Sequence, residues 1–168
     1  PGLGKAIFEG KYLPASLETQ EATQDPYTHN NVSSIIVGDY LYTVFNRQIA
    51  GTPYTYIDVK NINDGTYLIN SAQIEAFETS GTVQYYKPKI AFYKDQLRIF
   101  SYRFDSSTST YNVYNINVNP FDYASITSST ATKVSLGIAG TAATYDIAVS
   151  ADEKYFLLTY PNSSNNII

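Results

Sequence analysis

Residues able to do chemistry are few in this chain, and their spacing suits chemistry poorly. The single histidine, His29, sits in the polar stretch Pro26-Tyr27-Thr28-His29-Asn30-Asn31. A general base needs an orienting partner and a reacting group within reach. Nothing near His29 in the sequence supplies either, so it reads as an ordinary loop residue. Asn61-Ile62-Asn63-Asp64-Gly65 carries oxygen donors of the kind found in calcium loops. Its acidic positions are mostly Asn and the terminal Glu is missing, so it reads as a turn closing a hairpin. Ser135, in Lys133-Val134-Ser135-Leu136-Gly137, lacks the first glycine of a nucleophile elbow. The carboxylates are too dispersed to nominate a catalytic pair. The expectation is a chain with no catalytic residue, no metal ligand and no cofactor: not an enzyme.

Two sequons stand out, Asn31-Val32-Ser33 and Asn162-Ser163-Ser164. Both fall in or beside predicted loops, where a glycan acceptor belongs, so Asn31 and Asn162 are candidate glycosylation sites. They point towards an extracellular or cell-surface location.

Composition narrows the partners. The net charge is −4, and the 11 Lys and Arg residues are scattered singly among 168 positions. Nucleic acid and anionic membrane surfaces call for a basic patch, so neither is expected as a partner. No apolar run is long enough to span a bilayer, and direct membrane insertion by this segment is not expected. With no cysteine there is neither a disulfide framework nor a thiolate metal site. Seventeen tyrosines suit strands, where the ring packs while the hydroxyl reaches a partner or water.

The elements that must carry these residues repeat. Ser33 to Val37, Gly38-Asp39 and Tyr40 to Phe45 form an apolar strand, a tight turn and a second apolar strand. Lys89 to Tyr93, Lys94-Asp95 and Gln96 to Tyr102 repeat the plan, and so do Asp146 to Ser150, Ala151-Asp152-Glu153 and Lys154 to Tyr160. Asp39 and Asp95 are 56 residues apart, and Asp95 and Asp152 are 57 apart. Such recurrent aspartates read as turn residues. A third strand follows in two repeats, with Tyr54 to Val59 matching Tyr111 to Ile116 and Asp58 matching Asn115. Weaker fourth strands are expected near Ile74 to Phe77 and Lys133 to Leu136. Asn46 to Pro53, Arg103 to Thr110 and Pro161 to Asn166 read as polar connectors, and Ser125 to Thr144 as a longer one. Leu17 to Thr23 is the one weak helix candidate.

A fixed period with four strands per unit signals propeller blades. Ile36 to Tyr42 with Tyr56 to Val59 resembles an LVIVD-type propeller repeat. Pro88 to Phe100 with Tyr111 to Tyr114 resembles a kelch-like blade without that family's paired glycines. Tyr145 to Tyr155 is similar to the start of many bacterial-type propeller repeats, with Glu153 in place of their turn glycine. The resemblance implies architecture alone. The fold class expected is all-β: antiparallel four-stranded blades of a β-propeller, in about three repeats of roughly 56 residues, and incomplete.

Residues 1–32 are read as an N-terminal segment whose Ala6 to Phe8 and Tyr12 to Leu17 could supply outer strands of a shared blade. Residues 33–88 form the first repeat, 89–144 the second and 145–168 the start of a third. Three blades are too few to close a ring. The chain is therefore expected to be a piece of a longer propeller, or to finish the fold with additional copies. The function expected is a non-catalytic binding module that presents loops to a protein or glycan surface. A structural subunit of an extracellular layer or filament comes next, then a propeller-type hydrolase or lactonase.

Overall fold

Alternating strands and tight turns give two four-stranded antiparallel meanders and one hairpin among the described residues. The computed structural model describes residues 29–139, 145–150, 152 and 154–160. The first sheet holds β1 (His29–Val37), β2 (Tyr40–Ile49), β3 (Thr52–Asn61) and β4 (Tyr67–Gln73), paired in that order. The second holds β5 (Val83–Tyr93), β6 (Gln96–Asp105), β7 (Thr110–Val118) and β8 (Val134–Ala139), again in order. The third is the hairpin of β9 (Asp146–Val149) and β10 (Phe156–Thr159). The all-β expectation holds. The helix candidate Leu17 to Thr23, the outer strands expected at Ala6 to Phe8 and Tyr12 to Leu17, and the connector Pro161 to Asn166 lie outside the described residues.

The turns explain why the strands run longer than expected. Ala50 and Gly51 have φ of +51° and +81°, and Lys94 and Asp95 have +49° and +59°. Two consecutive positive φ values mark a type I′ turn, whose twist lets both strands pair up to the turn itself. Asn46 to Pro53 is accordingly strand rather than connector, apart from Ala50 and Gly51. The equivalent turn in the second sheet spans four residues, Ser106 to Ser109. That difference corrects the match between Asp58 and Asn115. Asp58 lies opposite Thr43, whereas Asn115 lies opposite Phe100, the counterpart of Val44. A shift of one residue turns a side chain to the other face of its sheet.

Two further expectations are corrected. Ile74 to Phe77 is not a fourth strand: Glu75–Phe77 is a 3-10 turn that buries Ala76 and Phe77, and β4 lies just before it. The Ser125 to Thr144 stretch is not a plain connector. It contains the end of a short helix, α1 (Tyr123–Thr127), and then β8. Asp122 caps α1 by accepting from the Ser125 backbone N–H.

The sheets stack face to face. Ile35, Val37, Tyr42, Val44, Ile57, Val59 and Ile69 share one face of the first sheet. They pack against Ile90, Leu97, Ile99, Ile116 and Val118 of the second, with Phe77 and Ile126 closing the core. The opposite face of the second sheet offers Phe100, Tyr102 and Val113 to Ile147, Phe156 and Leu158 of the hairpin. β1 lies against β5, and β5 against β9, so the first strands of successive sheets are neighbours.

The hairpin is not buried throughout. Leu157 is 57% exposed, and Ala148, paired with it, is exposed as well. Both point away from the second sheet. Ile36 is 44% exposed, on the face of the first sheet turned from the second.

Candidate functional site

The residues first considered for chemistry are taken up by structure. His29 is not a loop residue: it opens β1, opposite Arg47. Asn31 is also in β1 rather than a loop, at φ +58° in a β-bulge. It is exposed, and its amide donates to Asn46 Oδ1 at 3.5 Å. Asn162 lies outside the described residues. Ser135 sits in β8 opposite Tyr114.

Asn61 to Gly65 makes the turn between β3 and β4, as its composition indicated. Asn61 Oδ1 accepts from the Asn63 N–H at 2.8 Å, and Asp64 Oδ1 from the N–H and hydroxyl of Thr66 at 2.9 and 2.7 Å. Gly65, at φ +77°, closes it. The Thr66 hydrogen bonds hold the Asp64 carboxyl below its usual range. Asp152 behaves alike, accepting from the Ser150 hydroxyl at 2.7 Å and the Lys154 N–H at 3.2 Å. Among the described residues, no three of His, Cys, Asp and Glu come together as a metal site.

A polar concavity lies at the end of the second sheet, where β7 leads into α1. Asn117, Val118, Asn119, Asp122, Ser125, Thr130 and Ala131 line a recess of about 230 Å³. Its geometry is fixed from the backbone outward. Asn119 Oδ1 accepts from the Phe121 N–H at 2.9 Å, and Asp122 takes the Ser125 hydroxyl at 2.6 Å. Asn117 Oδ1 accepts from Asn115 Nδ2 at 2.9 Å, and Asn117 itself is exposed. The Ser125 hydroxyl and backbone hold the Asp122 carboxyl below its usual range, so it is ionised at neutral pH. Phe121, in the same loop, keeps 58% of its surface exposed and meets Tyr40 of the first sheet edge-on at 6.4 Å. Pro120 anchors the loop, because its carbonyl accepts the buried Tyr42 hydroxyl at 2.8 Å.

Sequence reasoning passed over this recess. Its residues are single Asn, Asp and Ser positions in a low-charge stretch. The available signal was Asp122 three residues before Ser125, a helix N-cap spacing.

Arg98 is a polar group held against aromatic rings. Its guanidinium lies over the rings of Tyr93 and Phe156, at 4.9 and 5.8 Å, between the second sheet and the hairpin. Such stacking holds a cation without a carboxylate.

Compared with known proteins, the chain matches no family model, no curated sequence and no solved structure.

Proposed function

We propose that this chain is a non-catalytic recognition module, built on propeller-type blades, that binds glycans on a cell surface or in the extracellular space. The observation that carries the reading is the recess beside Phe121. It combines side-chain amides, hydroxyls and one ionised carboxylate, and the exposed ring of Phe121 precedes the lining residue Asp122 in the chain. Sugars are held by that combination, with directional hydrogen bonds to hydroxyls and an apolar face laid against a ring. The scaffold supports it: two stacked meanders hold the β7–α1 loop from below through Tyr42 and Pro120, and loops on a rigid frame are where recognition residues sit.

The propeller assignment is supported by the matching plan of the two four-stranded sheets and by the adjacency of their first strands. The extracellular placement is supported by the exposed Asn31 sequon.

A glycan microarray tests the reading. The wild-type chain is expected to be retained on a subset of glycans, and Phe121→Ala, at an exposed position, to lose that retention while keeping the wild-type unfolding midpoint. A wild-type chain retained on no glycan, or a variant retained like wild type, would contradict it.

A further inference from the structure

Two cations share one ring at the turn between β5 and β6. Lys94 Nζ lies 5.1 Å from the centre of the Tyr93 ring, and the Arg98 guanidinium carbon lies 4.9 Å from it. So 5.1 plus 4.9, or 10.0 Å, is the most that can separate the two charges. Like charges at that spacing still repel, because the screening length is about 10 Å at ordinary salt. Lys94 is exposed and Arg98 half-buried. Among the described residues, neither Lys94 nor the Arg98 guanidinium has an ion-pair partner, and Arg98 Nε is buried without a hydrogen bond.

Packing holds this arrangement in place. Tyr93 is buried, and its hydroxyl donates to the Lys154 carbonyl at 3.4 Å. Phe156 lies 5.8 Å from the same guanidinium. A guanidinium packed on rings is ordered before any ligand arrives, with its N–H groups in a planar fork. Two carboxylates lie close along the chain. Asp95 follows Lys94 in the turn, and Asp122 lines the recess, where both its oxygens accept from Ser125. Neither pairs with Lys94 or Arg98. Arg98 lies opposite Asn117 across β6 and β7, so the two share a face of the sheet, and Asn117 lines the recess.

We propose that Arg98 and Lys94 bind an anionic group, a carboxylate or a sulfate, and that the saccharide taken by this chain is therefore an acidic one. The planar fork of Arg98 matches the paired oxygens of either group, and Lys94 adds a second charge from the surface. An anion beside two unpaired cations also relieves their mutual repulsion, a gain that no neutral sugar offers. The proposal rests on the glycan reading for the sugar but not for the anion, which the two cations bind by themselves.

The test titrates the whole chain with sodium sulfate, and separately with glucuronate, at constant ionic strength. Nitrogen-edited NMR follows the Arg98 Nε–H and the Lys94 amide. Saturable shifts of both signals are expected, and the tighter of the two anions names the acidic group. Glucose is expected to leave both signals unmoved. Lys94→Gln, at an exposed position, is expected to raise the midpoint for that anion by about two- to fivefold, the range of an exposed charge contact, with the unfolding midpoint unchanged. A chain in which neither anion gives a saturable shift overturns the proposal. So does an unchanged anion midpoint in Lys94→Gln, or a shift with glucose equal to that with glucuronate. Saturable shifts at Arg98 in a chain retained on no glycan uphold the anion site and place the failure in the glycan reading.

Discussion

The side-chain carbonyl of Asn46 in the first sheet accepts the backbone N–H of Lys87 in the second, at 2.7 Å. Lys87 sits in the β-bulge of β5 at φ +47°, and Asn31, 56 residues earlier, occupies the matching bulge of β1 at +58°. Asn46 is buried, and its amide also lies 3.4 Å from the Tyr85 carbonyl. One side chain thus satisfies a bulge that would otherwise leave a backbone donor unpaired between the sheets.

Replacing Asn46 by Ala is expected to cost about 1–3 kcal/mol, since it strands the Lys87 N–H and the Tyr85 carbonyl in the interface. Urea unfolding measures it. A loss under about 0.5 kcal/mol would mean that water satisfies these groups.

Leu97 and Leu157 are distinguished by exposure. Leu97 is fully buried between the first two sheets, so Leu97→Ala should cost about 2–5 kcal/mol. Leu157→Ala, on the exposed outer face of the hairpin, should cost less than about 0.5 kcal/mol. Equal costs would place both residues in one core and contradict the stacking.

The turn between β5 and β6 holds Lys94 and Asp95 in the left-handed region. Asp95→Gly removes the side-chain clash there and is expected to stabilise by about 0.5–1 kcal/mol, the left-handed penalty less the entropy glycine adds to the unfolded chain. Destabilisation would show that the Asp95 side chain has a role beyond the turn.

Buried tyrosines set the alkaline limit. Burial, reinforced by Tyr111, pushes the Tyr102 hydroxyl up to about 12, and burial also raises Tyr42 and Tyr145. The unfolded value is about 10. A folded pKa above the unfolded one contributes stability that is intact below pH of about 10 and is lost as pH rises towards the folded values. Tyrosinate absorbance should therefore show an exposed class titrating near pH of about 10 and a late class that ionises together with loss of β-sheet circular dichroism. A single early titration with the fold intact would contradict the burial of Tyr102.

The sequence made some of this legible and hid the rest for physical reasons. The hairpins around Gly38-Asp39 and Lys94-Asp95 were readable because apolar strands flank turn residues. The bulges were not: Asn31 is only a weak signal for the left-handed region, and Lys87 is none. β4 was misplaced onto Ile74 to Phe77 because its own Asn70 and Ser71 dilute the apolar pattern. The Asp58 and Asn115 alignment failed on turn length, which similarity of side chains does not encode. Leu157 lies in an apolar strand like its neighbours, and only the stacking order shows that it is on the face turned away from the second sheet. The recess rests on isolated polar residues that converge only through the β7–α1 loop.

Amide hydrogen exchange at Lys87 tests the stacked-sheet account most directly. Lys87 lies in β5, an edge strand of its sheet, and its N–H is held by a side chain of the neighbouring sheet. The account predicts that this amide is protected in the wild type and exchanges rapidly in Asn46→Ala, while the amides of Leu97 and Ile99 stay protected in both. Free exchange of Lys87 in the wild type would contradict it, because the first and second sheets would then not be joined at this bulge.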